Sequence, residues 1–123
     1  MLIEKTNNTP YVNLSVKDCI FEITGNSFSD NLSEFYDQVI EWVENEMPKI
    51  SCKIECKFNF HVFNSVTYKT ILLLMSKFYE LKEQGKKITI IWFYASEDED
   101  SGEVGEDLKN IFDIPVIIQQ TNN

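Results

Sequence analysis

The stretch CKIECKFNFHVFNSVTYKTILLLM, residues 52–75, decides the fold because its hydrophobic pattern changes from that of a strand to that of a helix. Apolar and polar residues alternate over residues 52–62, which is typical of a strand with one buried face and one solvated face. Over residues 67–84 the apolar residues recur at helical spacing, and Gly85 suits a helix end. The strand side chains predicted to face the core are Cys52, Ile54, Cys56, Phe58, Phe60 and Val62.

The segments on either side of this stretch repeat the alternation of strands and helices. Strands are predicted at 11–14, 19–24, 88–94 and 115–119, and helices from Asn31 or Ser33 to 46 and from Glu99 or Glu103 to 112. The order ββαβαβαβ predicts parallel pairing with right-handed crossovers from residue 31 onward. The strand at 88–94 is apolar on both faces, which indicates a central position in the sheet.

The length and the element order together predict a single α/β domain over residues 1–123. We expect a mixed sheet of about five strands with helices mainly on one face, because residues 52–62 leave a polar face uncovered. Residues 1–10 are predicted to be a loosely held lead-in and residues 120–123 a tail.

The charge of the chain argues against two classes of partner. It has 11 Lys and Arg residues against 20 Asp and Glu residues, and its net charge is −9. Nucleic-acid binders need a basic stripe that displaces counterions from phosphates, and anionic membranes also attract basic surfaces. We therefore expect neither nucleic acid nor membrane among the partners.

The N-terminal residues and the cysteines both predict a cytoplasmic protein. The segment MLIEKTNNTP lacks the apolar region of a secretory signal, and the apolar run at residues 71–75 is far too short to span a bilayer. The cysteines are Cys19, Cys52 and Cys56, an odd number without a paired framework, which is typical of a reducing compartment. Cys52 and Cys56 would lie about 13 Å apart on one strand, too far for a disulfide.

A hydrolase and a metal site both have weak support in the sequence. The only histidine, His61, lies on the strand face opposite Cys52 and Cys56, so only Cys19 could serve as its nucleophilic partner. A solvated strand histidine is the simpler interpretation, and a Cys–His hydrolase is the weakest of the alternatives. One histidine and no CxxC pair leave too few zinc ligands, so we expect no metal.

The acidic run EDEDSGEVGED, residues 97–107, does not form a recognisable ligand site. An EF-hand loop starting at Asp98 fails because Gly102 occupies its fifth position. The chain also lacks a Walker A loop and a dinucleotide-binding glycine motif, and we expect no cofactor. The run is predicted to be a solvated loop leading into a helix, where carboxylates complement the positive end of the helix dipole.

The hydroxyl-bearing junction at residues 64–67 has two interpretations. Asn64, Ser65 or Thr67 can cap the helix by accepting a hydrogen bond from a free backbone N–H group. The same N–H groups and the helix dipole also accommodate a phosphate, so this junction is a candidate phosphorylation site. Lys69, four residues after Ser65, could contact that phosphate or help a kinase dock. The residues alone favour capping and leave phosphorylation open.

The chain resembles the SiaC-like regulatory phosphoproteins over about residues 6–118. These are small bacterial proteins related in shape to the anti-sigma factor antagonist, or STAS-like, domains. The matching segments are Thr9-Pro10, TGNSFSDN at 24–31, EFYDQVIEWVE at 34–44, FNSVTYK at 63–69, ITIIWFY at 88–94 with the acidic run after it, and GEDL at 105–108. Their order and spacing together carry the resemblance, since none is decisive alone.

The resemblance implies that Ser65 is reversibly phosphorylated, because the family modifies the hydroxyl residue directly after the asparagine. That residue is usually threonine, and Val66 replaces a family serine. Ser29-Asp30 also replaces a family proline-glutamate pair, and these departures bear on the preference of the kinase. Modification of Thr67 instead of Ser65 remains an alternative. If Ser65 is modified, Thr67 is expected to be left as the cap.

The resemblance also implies a non-enzymatic switch with several protein partners. A serine/threonine kinase with an ATPase domain of the histidine-kinase type adds the phosphate, and a metal-dependent PP2C-type phosphatase removes it. In some members the unphosphorylated form binds and activates a diguanylate cyclase. The partners would dock over Asn64, Thr67 and Lys69 around the phosphosite. The alternative is a constitutive binding or self-associating module that uses the open sheet face or the acidic run, with Ser65 only a cap.

Overall fold

A computed structural model describes residues 1–121, which form six strands and three α-helices. The strands are β1 (Leu2–Ile3), β2 (Tyr11–Ser15), β3 (Ile20–Ser27), β4 (Ile54–Phe63), β5 (Ile88–Ala95) and β6 (Val116–Thr121). The helices are α1 (Leu32–Asn45), α2 (Ser65–Glu83) and α3 (Glu99–Ile111), and a short 3-10 turn at Met47–Lys49 follows α1. Within residues 1–121, no helix is both long and apolar enough to cross a bilayer.

The six strands form one mixed sheet in which they lie side by side in chain order. β1, β2 and β3 pair antiparallel, and β3, β4, β5 and β6 pair parallel. Parallel neighbours need a crossover connection, and α1, α2 and α3 supply the three that are required. The predicted mixed α/β fold is confirmed, with six strands where about five were expected. β5, predicted to be central, has a neighbour on each side and lies next to the edge strand β6.

All three helices pack on the same face of the sheet, as the polar face of β4 predicts. Trp42 of α1 and Phe78 of α2 both contact Phe21 of β3, with ring centroids 6.2 Å and 5.2 Å away. The indole N–H of Trp92 in β5 donates a 2.8 Å hydrogen bond to the carbonyl of Ser101 in α3. These aromatic contacts therefore place the core between the sheet and the three helices.

The predicted ends of the chain need correction. The lead-in at residues 1–10 contains β1, in which Leu2 pairs with Asn13 of β2. A two-residue strand has no periodic pattern, so the sequence does not reveal it. The tail predicted at 120–123 begins later, because β6 extends to Thr121. Residues 122–123 lie outside the described residues.

A β-bulge near the end of β4 changes which residues face the core. Gly25 pairs with Phe60, whereas Ser27 pairs with Phe63, so β4 has one residue more than β3 over this interval. A bulge of this kind rotates the side chains that follow it. Val62, predicted to be buried, is 55% exposed, and Phe63 packs against the aromatic core in its place.

The cysteines also differ from the prediction. Cys52 was expected inside a strand and facing the core, but β4 begins at Ile54 and Cys52 is exposed. It is joined by a disulfide to Cys19, with a Cα–Cα distance of 6.4 Å. The expectation of an unpaired set failed because the pairing depends on the β3–β4 register, which brings residues 33 positions apart together. Cys56 is free and buried, and it does not pair with Cys52.

Candidate functional site: the junction between β4 and α2

Asn64 is the residue that caps α2, which resolves the three alternatives of the sequence. Its backbone is extended, with φ −110° and ψ −177°. Its side-chain Oδ1 accepts a 3.1 Å hydrogen bond from the Thr67 backbone N–H, and its carbonyl accepts one from the N–H of Tyr68. The expectation that Thr67 would cap is therefore wrong, because Thr67 lies in the third helical position and donates to the cap.

Ser65 is the first residue of α2, and its side chain is exposed. Within residues 1–121, the backbone N–H groups of Ser65 and Val66 have no hydrogen-bond partner, as is normal for the first turn of a helix. Lys69 is exposed on the same side, four residues along, and makes no ion pair in the described part of the chain. Ser65 therefore lies beside two free donors and one free cation.

Thr67 has the opposite environment and is fully buried, with 0% of its surface exposed. Its Oγ1 lies 2.7 Å from Ser27 Oγ, 2.9 Å from the Ser27 carbonyl and 3.2 Å from Asn64 Oδ1. Ser27 Oγ lies in turn 2.6 Å from the phenol oxygen of Tyr36. We call Ser27, Tyr36 and Thr67 the hydroxyl chain.

The hydroxyl chain has one consistent direction of hydrogen bonding. Each hydroxyl carries a single proton, and carbonyl and amide oxygens only accept. Tyr36 therefore donates to Ser27 Oγ, Ser27 donates to Thr67 Oγ1, and Thr67 donates to the Ser27 carbonyl or to Asn64 Oδ1. Because α1 supplies Tyr36, β3 supplies Ser27 and α2 supplies Thr67, the chain joins three elements behind the junction.

Tyr36 must keep its proton to act as the first donor, and its environment favours this. Burial raises the pKa of Tyr36 to about 12, and the hydrogen bonds with Ser27 and Thr67 only partly oppose that effect. No role was assigned to Tyr36 or to Ser27 from the sequence. Their contribution depends on the parallel pairing of β3 with β4, so no local pattern indicates it.

The surface around Ser65 carries exposed apolar side chains. Phe28, Val62 and Val66 are 43%, 55% and 38% exposed. Phe28 follows Ser27, whose carbonyl accepts a hydrogen bond from the Asn64 N–H. Val62 and Val66 lie three residues before and one residue after Ser65, and the Asn64–Ser27 hydrogen bond brings the backbone before Phe28 to the same junction. We call Phe28, Val62, Val66 and Lys69 the junction surface.

The acidic run lies at the neighbouring strand-to-helix junction, between β5 and α3. Asp98 caps α3 by accepting a 3.1 Å hydrogen bond from the Ser101 N–H, and Glu99 and Asp100 occupy the first turn. The predicted loop is thus short, and most of the run is helical. The hydroxyl of Ser101 is buried and has no hydrogen-bond partner within residues 1–121.

The structure does not bring His61 and Cys19 together. Ile20, next to Cys19, pairs with Glu55, and His61 lies six residues farther along β4. That spacing corresponds to about 20 Å along a strand. The Cys–His hydrolase considered from the sequence therefore lacks its dyad.

Comparison with known proteins agrees with this architecture. Residues 3–121 match the model of a family described as SiaC family regulatory phosphoprotein. This chain belongs to the SiaC family. Among curated proteins, it is 23% identical over 117 residues to an uncharacterized protein of Pseudomonas aeruginosa strain UCBPP-PA14, covering 95% of this chain and 93% of that protein.

Solved structures of SiaC proteins share the fold of this SiaC-family member. The crystal structure of apo-SiaC from Pseudomonas aeruginosa matches with a TM-score of 0.88 and 22% identity, and the match covers 97% of each chain. A chain in the crystal structure of the diguanylate cyclase SiaD in complex with its activator SiaC matches with a TM-score of 0.90 and 22% identity. That match covers 98% of this chain and 99% of the other. At these identities the likeness establishes the fold.

Proposed function

We propose that this SiaC-family protein is a non-enzymatic, cytoplasmic partner switch controlled by reversible phosphorylation of Ser65. A serine/threonine kinase with an ATPase domain of the histidine-kinase type adds the phosphate, and a PP2C-type phosphatase removes it. Membership of a family of regulatory phosphoproteins supports a phosphorylation event. The choice of residue rests on one observation, the opposite exposure of Ser65 and Thr67 at the junction.

The burial of Thr67 makes Ser65 the better phosphoryl acceptor. A kinase must reach the hydroxyl oxygen, and Thr67 Oγ1 is enclosed by Ser27 and Asn64. Modifying Thr67 would break the hydroxyl chain and place a dianion in a buried site, which is strongly unfavourable. Ser65 is exposed, and its modification leaves the hydroxyl chain in place.

The first turn of α2 can accept a phosphate without rearrangement of the fold. The free N–H groups of Ser65 and Val66 and the positive end of the helix dipole favour an anion on Ser65. Lys69 lies about one turn away, and the first turn contains no acidic residue. Phosphorylation should therefore change the surface of the protein and leave its core intact.

Phosphorylation should weaken binding to a partner that covers the junction surface. Phe28, Val62 and Val66 supply exposed apolar area of the kind that anchors a protein interface. A phosphate on Ser65 would place a dianion among these side chains as the partner excludes water. If it stays unpaired there, the cost is about 3–5 kcal/mol.

The target proposed for the unphosphorylated form is a diguanylate cyclase. SiaC of Pseudomonas aeruginosa is described as the activator of the diguanylate cyclase SiaD, and this chain shares its family and fold. Kinship within the family supports the same class of target here. Binding of the purified protein to a cyclase from its own host, with cyclase activity as the readout, tests this part of the proposal separately.

The modification is tested by intact-mass measurement of the protein isolated from its own host. We expect a species heavier by about 80 Da, the mass of one phosphoryl group, in wild type and its absence in Ser65→Ala. Ser96→Ala is the matched control, because Ser96 is also exposed but stands beside the acidic run. Phosphate retained by Ser65→Ala, or lost only in Ser96→Ala, would contradict the assignment.

The switch is tested by capturing host partners on three immobilised variants. Ser65→Ala should retain the target, Ser65→Asp should lose most of it, and Ser96→Asp should behave as wild type. Equal retention by Ser65→Ala and Ser65→Asp would remove the switch and favour a constitutive binding module. Loss of the target on neutralising the carboxylates at 97–100, with Ser65 variants unaffected, would place the interface on the acidic run.

A further inference from the structure

The disulfide between Cys19 and Cys52 joins the starts of two parallel strands. Cys19 immediately precedes β3, and Cys52 lies two residues before β4. β3 and β4 are hydrogen-bonded neighbours, with Ile20 paired to Glu55. The Cα–Cα distance of 6.4 Å lies within the range that a disulfide spans without backbone movement.

The two bonded cysteines are accessible to small reagents, whereas the third cysteine is not. Cys52 is exposed and Cys19 is half-buried. Cys56 is fully buried, and burial raises the pKa of its thiol well above the ordinary value. A buried protonated thiol is a poor nucleophile, so Cys56 does not compete for exchange.

The backbone at Cys19 suggests that its side chain matters. Its φ is 57°, in the left-handed region that glycine and asparagine usually occupy. A cysteine in this conformation has a local cost that glycine would avoid. The presence of cysteine instead of glycine at residue 19 is explained if its sulfur is needed for the bond to Cys52.

We propose that Cys19 and Cys52 are a reversible modification site that exchanges with low-molecular-weight disulfides and thiols of the glutathione class. The Cys52 thiolate attacks one sulfur of a small disulfide, whose S–S bond breaks and releases one thiol. The Cys19 thiolate then attacks the Cys52 sulfur of this mixed disulfide and releases the second thiol. The two cysteines are oxidised, the small disulfide is reduced to two thiols, and the two cysteine protons pass to those thiols.

The bond would fasten one end of the β3–β4 pair. It closes a loop with a sequence separation of 33, which contains β3, α1 and the 3-10 turn. Restricting this loop lowers the entropy of the unfolded chain and so stabilises the fold. The opposite end of the same strand pair is held by Ser27, Asn64 and Thr67. The cysteine pair is therefore at the other end of the strands from Ser65, and its exchange does not require phosphorylation of Ser65.

Peptide mapping after equilibration with oxidised and reduced glutathione tests the proposal. Trypsin should place Cys19 in peptide 18–49, Cys52 in peptide 50–53 and Cys56 in peptide 54–57. In oxidised glutathione we expect peptides 18–49 and 50–53 to be linked and the chain to be lighter by about 2 Da. Excess reduced glutathione should restore both free peptides. A stable glutathione adduct on Cys52, or a dimer linked through Cys52, would overturn the proposal.

Thermal unfolding of the same samples separates a stabilising bond from an incidental one. We expect the midpoint to fall by about 5–10 °C when the bond is reduced. Cys52→Ser should unfold at the midpoint of the reduced wild type and should not respond to reductant. Because Cys52 is exposed, this variant removes the bond without disturbing the core. A reductant effect that persists in Cys52→Ser, or equal midpoints for the oxidised and reduced wild type, would refute the stabilising role.

Discussion

The junctions that begin α2 and α3 share one capping hydrogen bond, but they differ in charge and in the hydrogen bonding of a buried hydroxyl. Asn64 directly follows β4, and Asp98 lies three residues after the end of β5. Each side chain accepts a 3.1 Å hydrogen bond from the backbone N–H three residues later, that of Thr67 or that of Ser101. In each helix, the third residue carries a buried hydroxyl. Sharing a capping hydrogen bond and a buried hydroxyl therefore does not make the two sites chemically equivalent.

The first difference is charge. The first turn of α2 has no acidic residue and has Lys69 nearby, whereas α3 has an acidic cap followed by Glu99 and Asp100. The α3 carboxylates already complement the helix dipole and would repel a further anion. Of these two junctions, only that of α2 leaves the positive end of its helix dipole without nearby carboxylates and so open to a phosphate.

The second difference is how the buried hydroxyl is satisfied. Thr67 has three hydrogen-bond partners from β3 and the cap, whereas the Ser101 hydroxyl has none within residues 1–121. The α2 junction is thus anchored to the core through the hydroxyl chain. The α3 junction is held by its cap and by the bond from Trp92 to the Ser101 carbonyl.

The largest expected effect is the contrast between Thr67→Val and Ser101→Ala. Removing the Thr67 hydroxyl leaves the buried Ser27 hydroxyl without the acceptor of its proton, although Tyr36 still donates to it. Thr67→Val should therefore lower the free energy of unfolding by about 2–3 kcal/mol. Ser101→Ala removes a buried, unpaired hydroxyl and should leave stability unchanged or raise it by about 0.5 kcal/mol. Urea denaturation at neutral pH measures both, and equal losses would show that the two hydroxyls are equivalent.

Alkaline pH should produce an intermediate effect that belongs to the α2 junction. The pKa of Tyr36 is about 12 in the fold and 10.0 in its absence. The unfolded chain therefore loses this proton first, and the stability it contributes is complete below pH 10 and is lost as the pH rises towards 12. By pH 11 the loss is about 1 kcal/mol.

Tyr36→Phe is the matched variant for this measurement, because it removes the titrating group and keeps the ring. Its stability should fall less steeply than that of wild type between pH 10 and pH 11. Cys56, whose pKa is also raised, is present in both proteins and cancels in the comparison. Parallel slopes for the two proteins would show that Tyr36 does not titrate differently on unfolding.

The smallest expected effect comes from making the α2 cap acidic. Asn64→Asp should change the stability of the unphosphorylated protein by only a few tenths of a kcal/mol, because aspartate caps as well as asparagine. Combined with Ser65→Asp it brings two carboxylates together, and the double variant should be less stable than the sum of the single effects by about 0.5 kcal/mol. Additive effects would indicate that charge does not distinguish the two junctions.

The sequence predicted the framework of the junction well. Alternation over residues 52–62 and helical spacing over 67–84 located β4 and α2, and the polar strand face predicted helices on one side. It limited the cap to Asn64, Ser65 or Thr67, of which the structure selects Asn64. These features depend on neighbours within a few residues, so a local pattern is enough to reveal them.

The sequence did not reveal the features that depend on the alignment of β3 with β4. The bulge that exposes Val62 and packs the partly buried Phe63 against the core is visible only in the pairing of the two strands. The hydroxyl chain needs Ser27 and Thr67, 40 residues apart, to meet. The Cys19–Cys52 bond needs the same alignment at the other end of the strands.

The sequence by itself determined the order of strands and helices, the buried face of most of β4 and the presence of a hydroxyl beside the α2 cap. Only the tertiary structure decided that Ser65 is exposed and Thr67 is enclosed. The physical reason is that hydrophobic periodicity depends only on residues close together in the chain. The exposure and hydrogen bonding of a side chain depend instead on the residues of other strands and helices that pack against it.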